Sequence, residues 1–223
     1  MTTPPRLVIF DVDGTLVDSQ GDIVASMTVA FLTAGLAVPA RSDILGIVGL
    51  SLDVAMARLA PGADTARMVG TYKDSYADLR ATKGAASSPL YPGARAALEH
   101  FAGRDGVLLG VATGKSKRGL DGLIEAHGLE GMFVTRQVAD FHPSKPHPSM
   151  IRAALGESGV TARDAVMVGD TRFDMDMAAN AGVAAIGVTW GYHPRGQLSA
   201  AHCLVDGFEG LPAAVDKVWD ARA

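Results

Sequence analysis

A single cysteine, Cys203, occurs in the chain, so no disulfide can form within it and a reducing compartment is compatible with the sequence. Set among Ala, His and Leu, that thiol reads as core filling rather than as a nucleophile. Runs of lysine or arginine are missing too. Twenty basic residues stand against 24 acidic ones, a formal net charge of -4, so the electrostatic footprint of a nucleic-acid binder is absent. No apolar segment approaches the roughly 18 residues needed to span a bilayer, and the first residues lack the apolar core of a signal peptide. A cytoplasmic protein is therefore expected, a monomer or homodimer with no membrane and no nucleic acid as partner. Internal repeats and low-complexity stretches are also lacking. No Gly-x-Gly-x-x-Gly follows the first apolar run, which argues against a nucleotide-binding dehydrogenase.

What is present is organised around the stretch from Arg6 to Asp18. Residues 7–10 form a branched and aromatic run between Pro4-Pro5 and Gly14, the pattern of a buried parallel strand. Asp11 and Asp13 then fall at the strand's carboxyl end, where open α/β sheets keep their ligand crevice, and Gly14 permits a sharp turn. Helical patterns follow over residues 19–34, 42–45, 52–59 and 64–79 with no strand between them. They predict an all-helical domain, residues 17–82, inserted into a core made of residues 1–16 and 83–223. From Pro92-Gly93 strands and helices alternate. Strands are predicted over 107–112, 132–134, 165–168, 184–188 and, weakly, 203–205, with helices over 94–101, 116–127, 149–155 and 171–180 and a last one ending near 218. The fold class is α/β, a doubly wound, mostly parallel sheet carrying a helical insert.

Four strand ends carry polar residues: Asp11 and Asp13 at the first, Thr113-Gly114 at the second, Lys145 before a later helix, and Gly169-Asp170 with Asp174 at the fourth. In a parallel sheet these sets converge on one edge. Clustered acids with a lysine and a hydroxyl suit phosphoryl transfer through a divalent cation, since acids hold a hard metal and the cations neutralise phosphoryl oxygens. Singly, each has a plainer explanation: Thr113 and Asp170 as helix caps, Lys145 as a solvated loop lysine, Asp174 on an exposed helix face.

These four pieces, in order, resemble the four motifs of the haloacid dehalogenase-like hydrolase superfamily. The insert after the first motif, together with Lys115-Ser116 and Tyr91-Pro-Gly-Ala94, is similar to its phosphoglycolate phosphatase-like branch. The resemblance implies that Asp11 is a nucleophile forming an aspartyl phosphate and that Asp13 is the acid and base. Two residues apart on an extended chain, their side chains share a face. It implies Mg²⁺ held by Asp11, the Asp13 backbone carbonyl and Asp170, with Asp174 behind them. Gly14, Thr113, Gly114 and Lys145 would meet the phosphoryl group, and Gly49, Leu50 and Ser51 would reach the substrate from the insert. His142 and His147, beside prolines, read as parts of a stiff loop rather than metal ligands. Arg172 is expected to pair with a neighbouring acid.

The implied activity is a phosphatase acting on a small phosphorylated metabolite such as phosphoglycolate. A pyrophosphatase or a sugar-phosphate phosphatase or mutase is the alternative. Asp13 separates the chain from dehalogenases and phosphonatases, which lack that acid. Mutases usually place arginine after the serine of Gly49-Leu50-Ser51, where this chain has Leu52. A phospho-aspartate receiver module, a non-enzymatic reading, would order its acids differently. Residues 17–20 and 82–89 are the natural hinges, and Arg58, Lys73, Arg80 and Lys83 are candidate readers of a second anionic group.

Overall fold

The computed structural model describes residues 4–222. Six strands, β1 (Arg6–Phe10), β2 (Val107–Thr113), β3 (Thr135–Val138), β4 (Ala165–Gly169), β5 (Ala184–Val188) and β6 (Cys203–Val205), make one sheet in the order β3-β2-β1-β4-β5-β6. All neighbouring strands run parallel, so every carboxyl end lies on one edge. Leu7 and Ile9 of β1 pack on one face with α7 (Ser149–Ser158) and α8 (Arg172–Ala181). Val8 and Phe10 pack on the other with α5 (Ala94–Ala102), α6 (Lys117–His127) and α9 (Leu211–Asp220). That is the two-residue alternation of a strand buried on both faces. The next residue of the chain is the first of the acids, Asp11.

Between β1 and α5 stand four helices, α1 (Gln20–Thr33), α2 (Arg41–Leu45), α3 (Leu52–Leu59) and α4 (Thr65–Lys83). Met27, Phe31, Ile44, Met56 and Met68 form their shared core, distinct from the two sheet clusters. The chain enters and leaves this layer side by side. The Asp18 N–H donates to the Pro89 carbonyl at 2.9 Å, the Tyr91 N–H to the Leu16 carbonyl at 3.0 Å, and Val17 bridges Leu90. Buried Asp22 of α1 accepts from Lys83 at 2.5 Å and from the Ser87 hydroxyl, tying the two crossings together. No helix among the described residues is long and apolar enough to cross a membrane.

Two sequence expectations are corrected. The third strand is Thr135–Val138 rather than residues 132–134. Phe133 turns into the core and Val134 is 54% exposed, while buried Thr135 and Gln137 enter the ladder because the Glu157 carboxylate accepts from both, at 2.6 and 2.7 Å. Helix α4 runs on to Lys83 instead of stopping at residue 79. Ser19 occupies the N-cap position of α1 but makes no capping bond. Its hydroxyl turns instead to Asp13.

Candidate active site

Asp11 is the first residue past β1, held by its N–H donating to the Val168 carbonyl of β4 at 2.9 Å. Asp170 is the first residue past β4, so adjacent strands deliver these two acids side by side. Gly14, at φ +83°, lets the turn pass so close to Asp170 that a Cβ there would lie 2.2 Å from Oδ2. Asp170 accepts from the Thr15 hydroxyl at 2.9 Å and from the Tyr192 N–H at 2.8 Å. Asp174, in the first turn of α8, closes a capping box with Thr171, its Oδ2 accepting from that residue's N–H and hydroxyl. Its other oxygen accepts from Lys145 Nζ at 2.6 Å, and the same ammonium lies 2.9 Å from Asp11 Oδ1. Lys145 thus pairs with Asp11 through Oδ1, while Asp11 Oδ2, also buried, has no hydrogen-bond donor.

The electrostatics follow from this crowding. Burial, offset in part by Lys145 and reinforced by Asp174 and Asp13, pushes the Asp11 carboxyl from 3.8 up to about 7. Burial, with Asp11 and Asp174, pushes Asp170 well up too. Burial pulls Lys145 down, but Asp11 and Asp174 outweigh it and hold the ammonium above the ordinary lysine value. Carboxylate oxygens of Asp11, Asp170 and Asp174 all lie within 4.8 Å of one another. Three buried acids with oxygen donors only, one of them with an oxygen that no hydrogen bond occupies, fit a hard divalent cation.

Asp13, two residues on from Asp11, has a separate set of partners. Its carboxylate accepts from Lys115 Nζ at 2.7 and 3.0 Å and from the Ser19 hydroxyl, which lies 3.0 Å from the Tyr192 hydroxyl. Burial lowers Lys115, yet Asp13 and then Tyr76 more than reverse it. Asp11 and Asp13 both line a cavity of about 510 Å³ with Gly49, Leu50, Ser51 and Gly114. At Gly114 a Cβ would lie 2.6 Å from the Leu50 carbonyl oxygen and 2.8 Å from that of Gly49, so the insert's loop rests on the end of β2. The Ser51 N–H donates to the Ser144 hydroxyl at 2.8 Å, beside Lys145.

The structure thus brings together Asp11, Lys145, Asp170 and Asp174, and sets Asp13 and the 49–51 loop at the same cavity. Thr113 is buried at the end of β2, its hydroxyl accepting from the Lys115 N–H at 3.2 Å. Ser116, not Thr113, caps α6. His142 bonds Gln137 and Ser149, each at 2.8 Å, and His147 is exposed. Arg172 lies over the Phe173 ring rather than in an ion pair with a neighbouring acid. Of the four candidate anion readers, Lys83 is held by Asp22, Arg58 sits over Phe173, and Arg80 donates to the carbonyls of Arg118 and Gly119. Sequence reasoning gave no site role to Thr15, Ser19 or Tyr192, and quoted Lys115 only as part of the resemblance. The signal for Tyr192 was a polar and aromatic run, residues 189–193, at the end of β5.

The chain belongs to the haloacid dehalogenase-like hydrolases, whose family profile matches residues 8–188. It is 38% identical over 214 residues to the probable phosphatase IndB of Dickeya dadantii, covering 93% of this chain and 92% of that one. It is 33% identical to a phosphoglycolate phosphatase of Agrobacterium fabrum, covering 98% and 97%. A haloacid dehalogenase-like family hydrolase from Streptococcus pneumoniae shares the fold with a TM-score of 0.81 at 24% identity, covering 94% and 98%.

Proposed function

We propose that the chain is a Mg²⁺-dependent phosphatase that hydrolyses a small phosphomonoester through a phosphorylated Asp11. The observation that carries this reading is the Asp11 carboxylate: buried, lining the cavity, paired with a lysine through Oδ1, and with Oδ2 left without a hydrogen-bond donor. The phosphatase names of the relatives support it, and the phosphoglycolate phosphatases among them make that two-carbon acid the reference substrate. The helical layer, residues 17–82, serves as a cap over the core, and the cytoplasm as the compartment.

An Asp11 oxygen attacks phosphorus as the bond to the leaving oxygen breaks, giving an acyl phosphate. Asp13 supplies the proton to that oxygen. It then takes a proton from water, which attacks the same phosphorus, releases phosphate and restores Asp11. Lys145 stands beside the nucleophile, and with Thr113 it meets phosphoryl oxygens at the strand ends. Asp11, Asp170 and the Asp13 backbone carbonyl would hold the cation, with Asp174 fixing Lys145 behind them. When bound, Mg²⁺ supplies the positive charge that lets an anionic phosphoryl group approach clustered acids.

Asp11→Asn tests this directly: hydrolysis of a generic phosphate ester is expected to vanish with the fold retained by circular dichroism. Activity within about tenfold of the parent chain would sink the nucleophile assignment.

A further inference from the structure

The cavity in front of Asp11 and Asp13 holds about 510 Å³, within the range of roughly 300–1,000 Å³ that encloses drug-sized ligands. Away from the two acids its wall is largely apolar, with Ile23 and Met27 of α1, Ile47, Val48, and Tyr72 and Tyr76 of α4. The two tyrosine rings stack on each other, with centroids 5.9 Å apart and planes at 23°, and Lys115 Nζ lies 4.8 Å from the Tyr76 centroid, so the pair forms a fixed aromatic part of the wall. Formal charge in the wall is balanced, Asp11, Asp13, Asp53 and Asp140 against Lys73, Arg80, Lys115 and Arg118, with Asp53 and Asp140 out in solvent. The nearest cations are engaged: Lys115 by Asp13, and Arg80 by the carbonyls of Arg118 and Gly119 at 3.3 Å. Lys73 and Arg118 also reach the wall, but both are solvent-exposed.

A phosphorylated two-carbon acid would occupy a small part of this space, leave apolar wall in contact with water, and find the less exposed cations, Lys115 and Arg80, already engaged. We propose that the leaving group is an uncharged, ring-bearing alcohol, its ring against Tyr72 and Tyr76 and its phosphate at Asp11. This rests on the phosphatase reading above and narrows its substrate class.

The test compares kcat/KM for ethyl phosphate, 2-phenylethyl phosphate and phosphoglycolate, whose ester bonds all join phosphate to a primary carbon. Hydrophobic pockets gain about 10-fold or more for a single methylene, so the phenylethyl ester is expected to exceed both others by at least about tenfold. A smaller ratio, or phosphoglycolate as the best of the three, overturns the proposal and leaves a working phosphatase. Hydrolysis of none of them overturns the phosphatase reading, and the proposal falls with it. Tyr72→Leu is expected to lower the phenylethyl-to-ethyl ratio at least about threefold, and an unchanged ratio removes the role given to the rings. Should that variant fail to fold, inhibition of the parent chain by 2-phenylethylphosphonate against ethylphosphonate makes the same comparison: tighter inhibition by the phenyl compound is expected, and equal inhibition overturns the proposal.

Discussion

At the scale of single residues, the two acids of the first motif live in different surroundings although one residue separates them. Asp11 is sealed beside Lys145, paired with it through Oδ1 and with Oδ2 free of any donor, whereas Asp13 is held by Lys115 and by a Ser19 hydroxyl that contacts Tyr192. The first arrangement leaves a carboxylate oxygen uncommitted, and the second fixes a carboxylate in place. Lys115 is therefore a positioning residue, its side chain only 9% exposed. Lys115→Met is expected to lower kcat/KM by about 10²-fold or more, the scale seen when one aimed charged or polar donor is lost, with partial rescue in Lys115→Arg. Full activity in Lys115→Met, measured on a generic phosphate ester, would contradict that role. Partners 102 and 173 residues apart explain why reading assigned no role to Lys115 and did not single out Tyr192. Periodicity and strand-end chemistry report what is local, and Thr113, Lys145, Asp170 and Asp174 were legible because each ends or follows an element.

At the scale of elements, parallel pairing does most of the assembly. Placing β1 between β2 and β4 puts Asp11 beside Asp170 with no further instruction, which is why the core's layout could be read from alternating runs. β3 could not. The apolar signal at residues 132–134 belongs to a turn that buries Phe133, while the true strand hides Thr135 and Gln137 behind bonds to Glu157, a partner on α7. The contact between insert and core is likewise invisible in sequence, because it depends on two backbones passing at Gly114 and Gly49-Leu50. A Cβ at Gly114 would meet carbonyl oxygens rather than a movable side chain. Gly114→Ala is accordingly expected to displace the 49–51 loop and raise KM by about tenfold, with a smaller change in kcat, as steady-state kinetics would report. An unaltered KM would mean that this loop does not define the bound state.

For the whole molecule, insert and core are also joined through His193, a buried residue. Its Nδ1 accepts from the Arg172 N–H at 3.2 Å, which leaves Nε2 to donate to the Gly46 carbonyl of the insert, also at 3.2 Å. Burial lowers its pKa from 6.5, with Arg172 acting the same way and the Gly46 bond and Asp174 opposing. Below about pH 6.5 the unfolded chain therefore binds more protons at this site than the folded one, and its stabilisation is lost as the pH falls. Asp11 and Asp170 act in the opposite sense, because a raised carboxyl pKa makes acidification favourable to the folded state. The comparison must be differential. Between pH 7.5 and 5.5 the parent chain is expected to lose more thermal stability than His193→Gln, which keeps a donor and an acceptor without the titration. Parallel melting curves for the two would contradict the latch.

All three scales meet in the claim that Asp11 carries the phosphoryl group. Rapid acid quench during turnover of a radiolabelled phosphomonoester with Mg²⁺, followed by peptide mapping, tests it most directly. The account predicts acid-stable, hydroxylamine-sensitive label on the peptide containing Asp11, absent from Asp11→Asn and absent when chelator replaces the metal. Steady hydrolysis with no label on that peptide at any quench time, or label equally present in Asp11→Asn, would contradict it.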